Sequence, residues 1–190
     1  MRTKLAAAIV AGLLVLCLTS TAGAHLITAN LITNGSFENP TIGKTSGLFG
    51  SEAVIGWSGQ GNQVELQNAL HYWTAADGNQ YVELDSNSGD GNAFLVQYVD
   101  TIIGQQYQLT FAYSPRPGVE NNILTFAVGP YTPVIEGVTK LRRSGTGLKD
   151  TSWTYHSYNF TAFRESTFVA FRDDFFPDND GMGTFIDDIS

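Results

Sequence analysis

Gln106-Tyr107-Gln108-Leu109-Thr110-Phe111-Ala112-Tyr113 decides the fold, because Tyr107, Leu109, Phe111 and Tyr113 fall on one side of an extended chain while Gln108, Thr110 and Ala112 fall on the other. A period of two is the pattern of a strand with one face on a core. The aromatic side is expected to be buried, with Tyr113 at its rim. Residues 166–173 alternate as well, setting Phe168, Ala170 and Arg172 against Thr167, Val169, Phe171 and Asp173. Apolar residues stand on both sides there, as expected of a strand between two layers.

Working outward, further strands are expected at 26–33, 53–57, 63–67, 80–85, 93–100, 122–128, 133–138, 153–161 and 183–189. Each is short, rich in β-branched and aromatic residues, and bounded by Gly, Asn, Asp, Ser or Pro. Past residue 24, no run of about 12 residues keeps apolar positions at helical spacing without Gly or Pro intruding. The chain is therefore expected to be all-β, a two-sheet antiparallel sandwich. The Gly-rich stretches 43–50, 86–92 and 144–149 are too short for linkers and read as loops of one domain spanning residues 25–190.

The start of the chain is of another kind. Arg2 and Lys4 precede an apolar run, Leu5 to Leu18, and small residues follow up to Ala22-Gly23-Ala24. This reads as a cleavable signal peptide, residues 1–24, and predicts a secreted protein, extracellular or periplasmic. The run is shorter than the ~20 apolar residues that cross a bilayer, so no membrane insertion is expected. Cys17, the one cysteine, lies within the leader. The mature domain is thus expected to have no disulfide and to depend on its core, and on a metal if one is bound.

The 190 residues carry 18 acidic and 10 basic side chains, a formal charge of −8 at pH 7. The only basic cluster is Lys140, Arg142 and Arg143, which argues against a nucleic-acid partner. Neutral ligands such as sugars, and cations such as calcium, are compatible with this balance.

Four segments together carry a resemblance: Asn30-Leu31-Ile32-Thr33-Asn34-Gly35-Ser36-Phe37-Glu38-Asn39-Pro40, then Gly56-Trp57, then Asp77-Gly78-Asn79-Gln80-Tyr81-Val82-Glu83-Leu84-Asp85-Ser86, and last Gly183-Thr184-Phe185-Ile186-Asp187-Asp188-Ile189-Ser190. In this order the chain resembles the galactose-binding-domain-like jelly rolls. It is most similar to the secreted domain-of-unknown-function family shared by bacterial exported and plant cell-wall proteins, which is related to carbohydrate-binding modules. The resemblance implies a jelly-roll β-sandwich, a structural calcium (Ca2+) and a role in binding polysaccharide or another glycan of the wall or envelope. It also implies that Glu38 and Asp187 hold the calcium between first and last strands. Two acidic loops, Asp85-Ser86-Asn87-Ser88-Gly89-Asp90-Gly91 and Asp173 to Gly181, compete for a metal, but neither completes an EF-hand pattern. The alternative for Glu38 is that it receives turn amides, and for Asp187 or Asp188 that it caps an edge strand.

Sugar binding needs a flat apolar surface for the C–H face of the ring and polar groups for its hydroxyls. His71-Tyr72-Trp73, between strand signals and before a Gly-bearing turn, is the best local candidate. Arg116, held between Pro115 and Pro117, would present a guanidinium to hydroxyls or to a uronate carboxylate, or pair with an acid of the domain itself. Trp57, and Trp153 with Tyr155, are expected to fill the sandwich. Tyr131 is a further loop aromatic.

No catalytic motif appears, neither a Gly-x-Ser-x-Gly elbow nor a His-Glu-x-x-His pair, and His71 and His156 lack a sequence-level partner. A non-catalytic, lectin-like domain is expected. A scaffold for adhesion or matrix contacts with a protein partner, and a glycoside hydrolase with two carboxylates across a cleft, are the alternatives.

Overall fold

The alternation over 106–113 reappears as a core-facing strand of a sandwich in the computed structural model, which describes residues 29–50, 53–59, 63–85, 94–130, 139–173 and 181–190. Eleven strands run through these residues: β1 (Ser46–Gly50), β2 (Ser58–Gly59), β3 (Gln63–Asn68), β4 (Gln80–Glu83), β5 (Phe94–Asp100), β6 (Gln106–Ser114), β7 (Asn122–Gly129), β8 (Thr139–Arg143), β9 (Thr154–Thr161), β10 (Ser166–Asp173) and β11 (Phe185–Asp187). Six form one sheet in the order β1-β3-β4-β11-β6-β9, and five form the other in the order β2-β5-β10-β7-β8. Every pairing is antiparallel. No helix long and apolar enough to cross a membrane occurs among the described residues.

The core lies between the sheets. Leu109, Phe111 and Tyr113 of β6 meet Val169 and Phe171 of β10 and Leu124 and Phe126 of β7, with Val64, Leu66, Val82 and Ile186 beside them. Tyr113 is fully buried rather than at the rim, and its hydroxyl donates to the carbonyl of Asn122 at 2.9 Å. The two-sided pattern of β10 is also accounted for. Val169 and Phe171 enter the main core, whereas Phe168 and Ala170 form a second cluster with Val96 on the opposite face of the same sheet.

Several expectations are corrected. Residues 29–33 and 53–57 are not strands, although Trp57 is buried and packs on Phe37 and Phe171. Residues 46–50, expected to be loop because of their glycines, form edge strand β1, with Phe49 packed against the core. Ser58–Gly59 and Thr139–Arg143 are further unforeseen edge strands. The Thr-Lys-Leu-Arg-Arg sequence of the latter reads as polar, yet Lys and Arg are suited to an edge that must not pair further. The expected strand at 133–138, Tyr131, and the metal-loop residues 86–91 and 174–180 lie outside the described residues.

Trp153 and Tyr155 do not fill the sandwich. Phe111 pairs with His156 and Leu109 with Tyr158, so the inward side of β9 is His156 and Tyr158 and the outward side is Tyr155. Tyr155 is 59% exposed, and Trp153, just before β9, packs edge-on against Tyr81 on the outer face of the six-stranded sheet.

Candidate functional site

That outer face is where the unusual side chains collect. Core-facing Leu66, Val82 and Ile186 alternate with Gln67, Tyr81, Glu83, Phe185 and Asp187, which point away from the core in three adjacent strands. A solvent-facing side of a sheet is ordinarily exposed, but here all five are 0–2% exposed. The cover is the connection from β3 to β4, residues 69–79, laid over the sheet as a strap.

The strap is tied along its length by hydrogen bonds from its own backbone. Asp150 accepts from the Thr74 amide and hydroxyl, both at 2.8 Å, and the Trp153 indole donates to the Thr74 carbonyl at 2.8 Å. Asp187 Oδ2 accepts from the amides of Ala76 at 2.8 Å and Asp77 at 2.9 Å. Glu38 Oε1 accepts from those of Asn79 at 2.7 Å and Gln80 at 2.8 Å. Gly78, with φ of 63°, permits this last contact, since a β-carbon there would lie 2.4 Å from Glu38 Oε1. The amides of Thr74 and Thr151 hold the Asp150 carboxyl below its ordinary value, with hydroxyl contacts from both residues assisting.

Tied down in this way, the strap delivers Trp73 onto the sheet. Its ring lies 5.6 Å from that of Phe185, and Tyr72 stacks on it at 5.7 Å with an interplanar angle of 27°. Arg116 reaches the same place from the turn after β6. Its guanidinium stands 5.4 Å from the centre of the Trp73 ring and 5.8 Å from that of Phe185, distances at which a cation is attracted to the ring faces. The turn is built to hold it. Asn122 Oδ1 accepts the Arg116 amide at 2.8 Å, and Gly118 donates to the carbonyl of Gly145 at 2.9 Å. Gly145 lies so close that a β-carbon on it would stand 1.9 Å from the Arg116 carbonyl oxygen.

Beneath Arg116 is Glu83, fully buried and ion-paired with the guanidinium. Glu83 also accepts from the side-chain amide of Gln67 and, at 2.9 Å, from the backbone of Gly183. Gln67 in turn accepts from the Tyr81 hydroxyl at 2.8 Å. Burial raises the Glu83 carboxyl well above the ordinary carboxylate value, while the adjacent Arg116 charge works in the opposite direction. Burial likewise pushes Asp187 up to about 8 and raises the Tyr81 phenol.

Above this assembly opens a cleft of about 540 Å³, lined by Trp73, Arg116, Asp85, Asp173, Glu120 and Asn121 among others. Asp85 and Asp173 are buried to within 3% at its base, and Asp173 accepts the Thr184 amide at 2.7 Å. Three of the four residues expected to bind sugar are thus brought together: Tyr72, Trp73 and Arg116. His71 is exposed on the turn closed by the Asn68 carbonyl and does not line the cleft.

The two carboxylates expected to hold calcium are engaged otherwise. Glu38 Oε1 receives two amides, and Asp187 receives three, the third being its neighbour Asp188 at 2.8 Å. Calcium requires oxygen lone pairs, whereas N–H groups already point at Glu38 Oε1 and at both oxygens of Asp187, so the pair fits calcium poorly as it stands. No group of three or more His, Cys, Asp or Glu side chains suited to a metal occurs among the described residues.

Glu83, Gln67, Asp150 and Phe185 are members of the site that the sequence reading did not single out. Glu83 alternates with Val82 and Leu84 as any solvent-facing strand residue does, and nothing local in the sequence shows that a strap will cover it.

Residues 30–190 match the model of a family described as "Protein of unknown function (DUF642)". The chain belongs to the DUF642 family. Among solved structures, this DUF642 chain is similar to that of TmCBM61, described in complex with β-1,4-galactotriose, at 19% identity and a TM-score of 0.50, covering 85% of this chain and 97% of that one. It is also similar to the K1 cleaved adhesin domain of Lys-gingipain from Porphyromonas gingivalis W83, at 18% identity and a TM-score of 0.49, covering 81% of this chain and 93% of that one. No curated protein matches it. The likeness to TmCBM61 concerns the fold, a jelly-roll β-sandwich of the kind found in carbohydrate-binding modules.

Proposed function

We propose that this DUF642 domain is a non-catalytic carbohydrate-binding module of a secreted protein, taking its glycan in the cleft beside Trp73 and Arg116. The observation that carries this reading is the composite wall. One ring face belongs to an aromatic stack, a guanidinium lies at 5.4 Å from it, and carboxylates and an amide stand around the same opening. A pyranose uses all of these, its C–H groups against the Tyr72–Trp73 stack and its hydroxyls paired with donors and acceptors. The rigidity of the wall supports the reading too. Arg116 is fixed by its two flanking prolines, Asn122 and Glu83, and Trp73 by the tied strap, so little side-chain freedom is left to lose on binding.

The two carboxylates of the covered sheet face are ill placed for acid–base chemistry. Glu83 and Asp187 spend their oxygens on the Arg116 guanidinium, Gln67 and backbone amides, and both are fully buried beneath the strap. Neither is presented to a cleft as a general acid or base requires.

The test is isothermal titration of the protein with β-1,4-galactotriose first, then with a panel of neutral soluble polysaccharides, comparing wild type with Trp73→Ala. Loss of a stacking face should weaken binding by about tenfold or more, using ~1.4 kcal/mol per decade. A folded Trp73→Ala protein that binds as well as wild type, or a wild type silent across the panel, would contradict the proposal.

A further inference from the structure

A guanidinium in a sugar cleft is by itself suited to a carboxylate, since its planar fork matches the two oxygens. Arg116 would on that ground make the cleft a uronate site. Glu83, however, already holds this guanidinium from beneath. Its carboxylate is fully buried in contact with Arg116, and it is fixed there by Gln67, by the Gly183 amide at 2.9 Å and, through Gln67, by the Tyr81 hydroxyl.

We infer that Glu83 sets the ligand class of the cleft, cancelling the charge of Arg116 so that neutral sugars are accepted and uronic acids are rejected. The inference rests on the carbohydrate reading of the same cleft. A uronate carboxylate approaching Trp73 would meet a guanidinium whose charge is already balanced, and would be set among Asp85, Asp173 and Glu120. Like charges brought together at a partly buried site repel with little screening. A hydroxyl meets no such penalty. It can accept from a guanidinium N–H that Glu83 leaves over, for arginine has five, and donate to a carboxylate of the lining. Glu83 reaches the ligand only through Arg116, so it acts as a positioning and specificity residue.

Affinity electrophoresis at low ionic strength tests this, with β-1,4-galactan and polygalacturonate as probes against wild type, Glu83→Gln and the double variant Glu83→Gln/Arg116→Gln. Thermal unfolding of each variant is recorded alongside. Glu83→Gln should raise the affinity for polygalacturonate by about tenfold or more, and the double variant should lose that gain. A folded Glu83→Gln protein with unchanged polygalacturonate affinity overturns the inference, as does a wild type that binds polygalacturonate as tightly as galactan. If Glu83→Gln does not fold, Glu83→Asp replaces it, since it keeps the charge but withdraws it by one methylene. A gain of about threefold is then expected, and no gain overturns the inference. A wild type that binds neither polymer counts against the carbohydrate reading, while the variants still decide the role of Glu83: gain of polygalacturonate binding supports it, and absence of gain overturns it.

Discussion

Replacing Asp187 by Ala should destabilise the protein by about 2–4 kcal/mol, whereas replacing its neighbour Asp188 by Asn should have little effect. Asp187 is fully buried and accepts three amides at 2.8–2.9 Å, two of them from the strap. At neutral pH the Asp187 carboxyl is mostly protonated; a hydrogen bond between neutral groups contributes about 0.5–1.5 kcal/mol, and a buried donor left without a partner costs about 1–3 kcal/mol. The simple total overstates the loss for two reasons. Asp77 is exposed, so water can satisfy its amide in the variant, and removal of Asp187 also relieves the burial that pushes its carboxyl up to about 8. For a chain of this size each 1 kcal/mol lowers Tm by about 2–4 °C, so Asp187→Ala should melt roughly 5–15 °C below wild type. Among the described residues the Asp188 carboxyl accepts the hydroxyl of exposed Tyr155, at 2.9 Å, and Asp188→Asn, which suits its φ of 45°, should stay within about 0.5 kcal/mol of wild type. Urea unfolding gives both values, and hydrogen exchange at Ala76 and Asp77 shows whether the strap is what has loosened. Equal stability of the two variants, or unchanged exchange in a destabilised Asp187→Ala protein, would refute the reasoning.

Chelator and millimolar calcium should leave Tm within about 1 °C of each other, because a ligand stabilises only the state that binds it and Glu38 and Asp187 face amide donors. A calcium-dependent rise of several degrees would show that a site exists after all. Stability should fall as pH rises through about 8. The Asp187 carboxyl is raised from 3.8 to about 8 in the folded protein, so its contribution is fully present below about pH 4 and is lost as the folded group ionises. Thermal scans from pH 5 to pH 9 should show this fall and Asp187→Asn should flatten it; a wild-type profile without slope would contradict the sign. Gly78→Ala should cost about 1–3 kcal/mol, since φ is 63° there and the new methyl would meet Glu38. Urea unfolding measures it, and a neutral result would mean that the Glu38 tie does not shape the strap.

Much of the fold was legible because a period of two survives wherever one strand face meets the core. Strands β3 to β7, β9 and β10 fell where Val, Ile, Leu and aromatic residues alternate, and Gln106–Tyr113 showed its buried face outright. The missed strands, Ser46–Gly50, Ser58–Gly59 and Thr139–Arg143, lie at sheet edges, where glycine and charge are tolerated because, among the described residues, only one side of the backbone is paired. The site was half legible for a related reason. Tyr72, Trp73 and Arg116 stood out because bulky aromatics and a proline-flanked arginine lacked a core period to serve. Glu83, Gln67 and Phe185 did not, because their partners lie on segments distant in sequence, and only the strap turns a solvent-facing alternation into a buried layer. The same long-range contacts explain the fate of the calcium expectation. Glu38 and Asp187 are where the resemblance places them, yet each is satisfied by amides of the 76–80 turn.

The three tryptophans allow the central proposal to be read directly. The Trp57 indole donates to the Asn34 carbonyl at 3.1 Å inside the core, and that of Trp153 donates to Thr74 beneath the strap. Trp73 alone of the three lines the cleft. Nitrogen-15 labelled protein titrated with a neutral oligosaccharide that it binds should show the Trp73 indole signal moving in step with saturation, while the Trp57 signal stays in place. Saturable binding with the Trp73 signal unmoved would place the sugar elsewhere and contradict the account.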